Sequence, residues 1–213
     1  MPHSAGPFAN LDTSALRALA PHGITRTFPR NAVVVNEGDT TDSLYVVIAG
    51  RVKAFAAEED GKEMVLNIIG AGDYFGELVL DGEARSASIM TLEPCRLFVI
   101  PRGDIESLLD RNPAFARDLI GKLIGTVRRL TKKVLDLGLK DVYGRFARFI
   151  EENAIEQDGK RVVPERLTQQ DIAARIGGSR EVVSRILTEL KAGGYISIDS
   201  KRITVHRKLP AHR

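Results

Sequence analysis

Glycines recur at intervals of 10 to 12 residues through the first half of the chain, and this regular spacing limits the classes of fold that the segment can form. The five positions are Gly38, Gly50, Gly61, Gly72 and Gly82. Between them lie runs rich in β-branched and aromatic residues, which are typical of strands. The runs are Val33–Val35, Leu44–Ile48, Val52–Phe55, Met64–Ile69, Ser86–Met90 and Arg96–Ile100. Because glycine suits tight turns and no helical period separates the runs, we predict an antiparallel sandwich or barrel rather than a βαβ sheet.

Helical patterns flank this region on both sides. Residues 12–19 predict a short helix before the first strand, and residues 103–110 predict another after the last. Asn112-Pro113 then opens a longer helix, with proline at its first turn. Gly138 weakens that helix near its end, so we place a domain boundary at residues 137–140.

The long helix carries apolar residues at alternating spacings of three and four. They are Ile120, Leu123, Val127, Leu130, Val134 and Leu137. This spacing is the a/d seam of a coiled coil, which is narrower than the apolar stripe of a helix lying on a core. We therefore predict that two copies of the chain meet along this seam. The alternative is a helix that packs on its own barrel.

The last third of the chain reads as helices followed by a hairpin. Residues 141–155 predict an amphipathic helix, and the polar stretch 156–160 ends it. Thr168, with Asp171 three residues later, is typical of a capping box that starts a short helix. Gly177-Gly178 makes a turn, and Ser179 can cap a second helix over residues 180–190.

Two short helices joined by a glycine turn predict a helix-turn-helix, whose second helix enters the major groove of DNA. Its outward face carries Arg180, Glu181, Ser184 and Arg185. Arginine can donate two hydrogen bonds to guanine, and glutamate can accept from cytosine. Thr168, Gln170 and Ser179 are placed for phosphate oxygens. Residues 195–198 and 202–205 flank a turn at 199–201 and predict a wing.

The charge of the chain divides in a way that fits a polyanion partner at the C-terminal end. Residues 1–112 hold 10 Lys/Arg against 16 Asp/Glu, residues 113–140 hold 7 against 2, and residues 141–213 hold 14 against 10. The first segment is therefore acidic and the other two are basic. Basic segments gain by displacing counterions from phosphates, so double-stranded DNA is the expected partner.

The segment from Phe75 to Ala87 combines groups that could hold a ribose phosphate. Gly76 lets the backbone approach a ligand, and Glu77 could accept from a 2′-hydroxyl. Arg85 and Ser86 could hold the phosphate. A structural Glu–Arg ion pair is the alternative.

Four stretches in order resemble the CRP/FNR family of bacterial transcription regulators over nearly the whole chain. They are Gly76-Glu77-Leu78, Arg85-Ser86-Ala87, Asp141-Val142-Tyr143-Gly144-Arg145, and Ser179-Arg180-Glu181 with Val183 and Arg185. The resemblance implies an α+β chain with an N-terminal antiparallel jelly-roll barrel that binds a cyclic nucleotide (1–112), a long dimerisation helix (113–140) and a C-terminal winged helix-turn-helix (141–213). It also implies a homodimer that binds a palindrome.

Carried over by position, the effector-binding residues are Gly76, Glu77, Leu78, Arg85, Ser86, Ala87 and Thr131. In this assignment Glu77 holds the ribose, Arg85 and Ser86 hold the cyclic phosphate, and Thr131 faces the base from its own chain or across the dimer. The chain departs from cyclic-AMP-binding members at two places: the loop between Glu77 and Arg85 is shorter, and Leu130 replaces a polar base contact. Cyclic AMP is the expected effector. Cyclic di-GMP, another anionic effector and activity without ligand remain open.

Other classes of protein fit the sequence less well. Iron–sulfur and haem sensors need a cysteine cluster or haem ligands. The chain has one cysteine, Cys95, and His22 is the only histidine near the predicted barrel, which argues against both kinds of sensor. A cupin-type metal enzyme needs clustered ligands, whereas the histidines are His3, His22, His206 and His212. A regulatory subunit that only binds nucleotide needs no helix-turn-helix. We expect a cytoplasmic, non-enzymatic regulator without metal, membrane span or export signal, and with RNA polymerase as a further partner.

Overall fold

The computed structural model describes Phe8 and residues 12–210. The described chain divides into two compact units, one formed by residues up to 57 together with 65–129, the other by residues 58–64 and 130–210. Within the described residues no helix is both long and apolar enough to cross a bilayer.

The first unit is a jelly-roll barrel of two antiparallel sheets, which confirms the predicted fold class. The eight strands are β1 (Ile24–Phe28), β2 (Val33–Val35), β3 (Ser43–Ala49), β4 (Arg51–Ala57), β5 (Glu63–Gly70), β6 (Tyr74–Phe75), β7 (Ser88–Thr91) and β8 (Cys95–Pro101). One sheet has the order β1-β8-β3-β6 and the other β2-β7-β4-β5. The five regularly spaced glycines, Gly38, Gly50, Gly61, Gly72 and Gly82, all have φ between 80° and 86°, a conformation that favours a residue without a Cβ.

Three details of the barrel differ from the sequence prediction. Strands β1 and β6 were not among the predicted runs, and β6 has only two residues. Strand β7 begins at Ser88 rather than Ser86. The preceding backbone is held elsewhere, because the Arg85 amide donates to the Asp39 carbonyl at 2.9 Å.

Two clusters of buried side chains fill the barrel. One is centred on Leu44, Tyr74, Phe98 and Ile100, and the other on residues such as Val47 and Leu97. Cys95 belongs to the second cluster, where burial raises the pKa of its thiol. The cysteine therefore acts as a small apolar core residue.

Three helices accompany the barrel strands. They are α1 (Thr13–Leu19), α2 (Arg102–Arg111) and α3 (Pro113–Leu139). Asp12 caps α1 by accepting from the Ala15 amide at 2.8 Å. Asn112 Oδ1 accepts from the amides of Ala114 and Phe115 at the start of α3. These caps satisfy backbone donors that the first helical turns leave free.

Helix α3 contacts the barrel core through its first turns only. Phe115 and Leu119 are buried there, and Leu123 packs at the edge of the same core. Beyond that point the predicted seam is exposed in the single chain: Val127 is 63% and Val134 is 67% exposed. The remaining seam residues Ile120, Leu130 and Leu137 are 57%, 39% and 40% exposed. Within the barrel unit, packing on the barrel therefore accounts for Leu123 but not for Ile120 and Val127.

The second unit is a three-helix winged domain. Its elements are α4 (Val142–Asn153), β9 (Ile155–Gln157), β10 (Lys160–Val163), α5 (Gln169–Ile176), α6 (Arg180–Ala192), β11 (Ile196–Asp199) and β12 (Arg202–Val205). The strands form one antiparallel sheet in the order β11-β12-β10-β9. The three helices share a core that includes Phe146, Ile150, Ile172 and Leu187.

The hairpin of β9 and β10 corrects the sequence prediction that a helix continues to Ile155 before the polar stretch 156–160. Ile155 is the first residue of β9. Asp158 and Gly159 form the turn, with φ of 52° and 70°. An Asp-Gly pair is a strong signal for a tight hairpin turn, but the exposed polar strand residues gave no alternating pattern to support it.

Candidate functional site

Arg85 lies at the centre of the predicted effector loop and is 8% exposed. Its Nε donates to Thr41 Oγ1 at 3.0 Å, its Nη1 to the Gly76 carbonyl at 3.1 Å and its Nη2 to the Ser43 carbonyl at 2.6 Å. A guanidinium has five N–H donors. Described residues engage three of them, which leaves two N–H groups without a protein acceptor among the described residues.

The backbone around Arg85 is fixed as firmly as its side chain. Gly76 has φ of 88°, and a Cβ there would lie 2.8 Å from Arg85 Nη1 and 2.9 Å from the Ser43 carbonyl. Glycine is therefore required both by conformation and by close approach. The Gly38 amide donates to the Arg85 carbonyl at 2.9 Å. These contacts fix the position of the arginine within the barrel.

The remaining loop residues lie on both sides of this arginine. Glu77 begins a 3₁₀ turn, Glu77–Asp81, and is half-buried. Leu78 on the same turn is 47% exposed. Ser86 is exposed and Ala87 is half-buried. The structure therefore places Gly76, Glu77 and Arg85 together and leaves the hydroxyl of Ser86 accessible.

Burial lowers the pKa of the Arg85 guanidinium, and the neighbouring Tyr45, Asp42, Asp39 and Glu77 act in the opposite direction. Arginine nevertheless keeps its charge at every physiological pH. A buried cation with free donors is a favourable site for a phosphate, because charge-assisted hydrogen bonds are stronger in a medium of low dielectric constant.

An aromatic pair lies beside this site. Tyr45 stacks on Phe75 with ring centroids 4.9 Å apart and an angle of 2° between the rings. The Arg85 guanidinium carbon is 6.0 Å from the centre of the Tyr45 ring. Burial raises the pKa of the Tyr45 phenol. The pair belongs to the second core cluster and packs beside Arg85.

The contacts of Arg85 with Thr41 and Ser43 were not predicted. These partners are separated from Arg85 by 44 and 42 residues along the chain. No local pattern links positions so far apart, and only the pairing of the barrel strands brings them together. Thr131, the remaining predicted effector residue, is an exposed residue of α3.

The helix-turn-helix forms as the sequence predicts. Thr168 and Asp171 make a reciprocal capping box at α5, and Gly177 ends that helix with φ of 66°. The side chain of Ser179 accepts from the Val182 amide at 3.3 Å and caps α6. The inward stripe of Val183, Ile186, Leu187 and Leu190 is buried.

Arg145 explains why an arginine stands near the start of α4. Its Nε donates to the Ile176 carbonyl at 2.6 Å, its Nη1 to the Lys140 carbonyl at 2.7 Å and its Nη2 to the Gly177 carbonyl at 2.9 Å. These carbonyls lie at the ends of α3 and α5, where helices leave acceptors unsatisfied. Arg145 thus fixes the turn that precedes α6.

Six of the seven predicted DNA-contacting residues, all except Ser179, line two neighbouring grooves of this unit. One groove is lined by Gln169, Arg180, Glu181, Ser184, Arg185, Thr188 and Glu189. A neighbouring groove includes Thr168, Gln170, Arg180 and Lys201. Arg180 lines both. Gln169 and Lys201 were not predicted, and they extend the surface along α5 and into the wing.

The histidines do not form a metal site in the part of the chain that the structure describes. His22 Nδ1 lies 2.7 Å from Asp104 Oδ1, and His206 Nε2 lies 2.9 Å from Ser197 Oγ. Among the described residues no group of three or more His, Cys, Asp or Glu side chains could hold a metal ion. His3 and His212 lie outside the described residues.

Comparisons with known proteins match both units. A family model described as a cyclic nucleotide-binding domain matches residues 25–112, and one described as a Crp-like helix-turn-helix domain matches residues 144–208. A CRP-like cAMP-activated global transcriptional regulator of Mycobacterium tuberculosis is 32% identical over 206 residues, which is 94% of this chain and 92% of that protein. The cAMP-activated global transcriptional regulator CRP of Pasteurella multocida is 32% identical and covers 84% of this chain and 88% of its own length.

Solved structures give the same result for the fold. The c-di-GMP responsive global regulator CLP of Xanthomonas campestris aligns with a TM-score of 0.79 at 26% identity, covering 92% of this chain and all of that chain. With a barrel that carries a buried arginine and a Crp-like helix-turn-helix, this is a cyclic-nucleotide-responsive transcription regulator. The chain belongs to the CRP/FNR family.

Proposed function

We propose that this protein is a homodimer that binds cyclic AMP in the barrel of residues 1–112 and a palindromic promoter site through residues 141–213. Residues 113–140 join the two and form the dimer. The observation that carries the effector proposal is Arg85, a buried guanidinium with two N–H groups left for an anion. The two relatives of 32% identity are named as cAMP-activated, which favours cyclic AMP.

In the proposed site Arg85 and Ser86 hold the cyclic phosphate. Glu77 accepts from the ribose 2′-hydroxyl, and Gly76, Leu78 and Ala87 line the loop. Thr131 contacts the base. An arginine fork suits a cyclic phosphate because two parallel hydrogen bonds fix both its charge and its orientation.

The proposed DNA surface is the groove along α6. Arg180, Glu181 and Arg185 read base edges, while Thr168, Gln170, Ser179 and Ser184 hold the backbone. Exposed arginines near the N-terminus of the second helix are the usual base-reading groups of a helix-turn-helix. Two such helices in a dimer match two half-sites of a palindrome. RNA polymerase in the cytoplasm is the proposed partner of the DNA-bound dimer.

The proposed control is a shift between two arrangements of the dimer. An effector that binds one arrangement better than the other raises its population, and DNA selects the same arrangement. Linkage requires that the effector and DNA strengthen each other's binding by the same factor.

A second candidate effector is cyclic di-GMP. The observation that favours it is the fold match to a regulator described as c-di-GMP responsive. Leu130 stands where a polar base contact is expected, and this departure also fits a ligand other than cyclic AMP.

Calorimetric titration with cyclic AMP, cyclic GMP and cyclic di-GMP separates these candidates. We expect saturable binding of cyclic AMP and tighter binding of a selected palindromic DNA in gel shifts when cyclic AMP is present. Tight binding of cyclic di-GMP alone would favour the second candidate. If none of the three nucleotides bound, the proposed effector site would be wrong.

Arg180→Ala should weaken binding to the selected palindrome by about 1–3 kcal/mol and binding to random DNA much less. Its side chain is exposed and lines both grooves of the DNA surface. Fluorescence anisotropy at fixed salt measures both affinities. Lys191→Ala, at an exposed position in the last turn of the same helix, is the matched control. Equal losses on the two DNAs would mean that Arg180 contacts only phosphate.

A further inference from the structure

A polar cluster lies where the first half of α3 packs against β6. Lys122 Nζ lies 2.7 Å from Asp73 Oδ1 and also donates to the Tyr74 carbonyl. The same ammonium group lies 3.6 Å from the centre of the Tyr74 ring. The Tyr74 hydroxyl donates to Asp118 Oδ2 at 3.1 Å. Helix and strand are thus joined by an ion pair, two hydrogen bonds and a cation–π contact.

Two members of this cluster are shielded from water, whereas Asp73, whose side chain is 37% exposed, lies at its edge. Tyr74 is fully buried, and the side chain of Lys122 is 16% exposed. Burial, followed by the negative charge of Asp118, raises the pKa of the Tyr74 phenol, so the hydroxyl stays protonated and remains a donor. In such surroundings the removal of one partner leaves another buried polar group unpaired, which costs free energy. The geometry in which all the polar groups are paired is therefore strongly favoured.

The cluster is adjacent to the proposed effector site in the sequence and in the fold. Strand β6 ends at Phe75, and the next residue is Gly76, whose carbonyl accepts from Arg85. On α3, Phe115, Asp118, Leu119 and Lys122 follow helical spacing and lie on one face. Lys122 directly precedes Leu123, a residue of the apolar seam. One side chain therefore holds both the strand that leads into the effector loop and the helix that carries the seam.

We propose that Lys122 is the positioning residue through which effector binding near Gly76 acts on helix α3. The contacts to Asp73 and Tyr74 fix the rotation of α3 relative to the effector loop, so that a change in the loop changes the direction of the seam. This proposal rests on the proposed function, since it assigns the route by which an effector changes DNA affinity.

Lys122→Met tests the proposal because methionine keeps the apolar stem and removes the charge and the three donors. Calorimetry with cyclic AMP measures effector affinity, and anisotropy with the selected palindrome measures DNA affinity with and without cyclic AMP. We expect effector affinity to stay within about threefold, while the ~5–150-fold enhancement of DNA binding typical of linked sites falls towards one. Arg117→Met, at an exposed position of the same helix, should retain the enhancement.

The outcomes separate the two proposals. An unchanged enhancement in Lys122→Met, or a loss of effector affinity equal to the loss of enhancement, would overturn the positioning role. If Lys122→Met fails to fold, Asp73→Asn gives the decision, because it keeps the shape of the partner and removes only its charge. The proposed function is tested separately by the calorimetric titration of the wild-type protein. It would be overturned if the wild-type protein bound none of the cyclic nucleotides.

Discussion

Arg85→Ala should abolish measurable cyclic-nucleotide binding and also destabilise the barrel. In the proposed site the substitution removes two charge-assisted hydrogen bonds to the phosphate, each worth about 1.5–3 kcal/mol, so affinity should fall by about 10²–10⁴-fold. It also leaves Thr41 Oγ1 and the carbonyls of Gly76 and Ser43 without their donor. We expect the free energy of unfolding to fall by about 2–4 kcal/mol, since water can replace only part of what is lost.

Calorimetry and urea denaturation measure these two effects separately. Thr41→Val is the matched variant, because valine has the shape of threonine and lacks the acceptor for Arg85 Nε. It should cost about 1 kcal/mol of stability and weaken nucleotide binding by no more than about tenfold. An Arg85→Ala protein that bound cyclic AMP with unchanged affinity would show that the anion site lies elsewhere.

The structural role of Arg85 also shows where sequence reasoning reaches its limit. From the sequence the loop suggested a ligand site or an ion pair with Glu77. In the structure the arginine donates to two carbonyls and a hydroxyl rather than to Glu77, and its partners Thr41 and Ser43 belong to a distant part of the chain. Such contacts depend on strand pairing, which no local pattern encodes. The sequence alone would therefore underestimate the effect of Arg85→Ala on stability.

The elements that were predicted correctly are those with local chemical signals. The capping box of Thr168 and the left-handed turn at Gly177 depend on residues within one helical turn of each other. The turn glycines between the barrel strands are local in the same sense. By contrast, the two-residue strand β6 and the exposed strand β9 are short and carry no alternating pattern, and both were missed. Arg145 was identified only by resemblance, since its three carbonyl partners become visible only in the fold.

Val127→Lys should convert the proposed dimer into a monomer while leaving the fold of each chain intact. Val127 is 63% exposed in the single chain, so lysine at this position should change the stability of the monomer by less than about 0.5 kcal/mol. In a parallel seam the residue faces its own copy, because the same surface serves both subunits. The change removes two buried valines and places two ammonium groups together. The loss of two valines alone, at about 2 kcal/mol each, should weaken dimerisation by about 10³-fold.

Analytical ultracentrifugation at low micromolar concentration should show Val127→Lys as a monomer and Leu135→Lys as a dimer. Leu135 is 52% exposed on the same helix but lies off the alternating series, so it controls for charge and for lost apolar surface. A dimer that survived Val127→Lys would place the interface on another surface.

Val127→Lys should also weaken binding to a palindromic DNA. A monomer keeps its affinity for one half-site, but it loses the gain of about 10²–10⁴-fold that comes from binding two half-sites at once. If binding to a single half-site fell as well, the seam would have to act on the DNA-binding unit directly and not only through pairing.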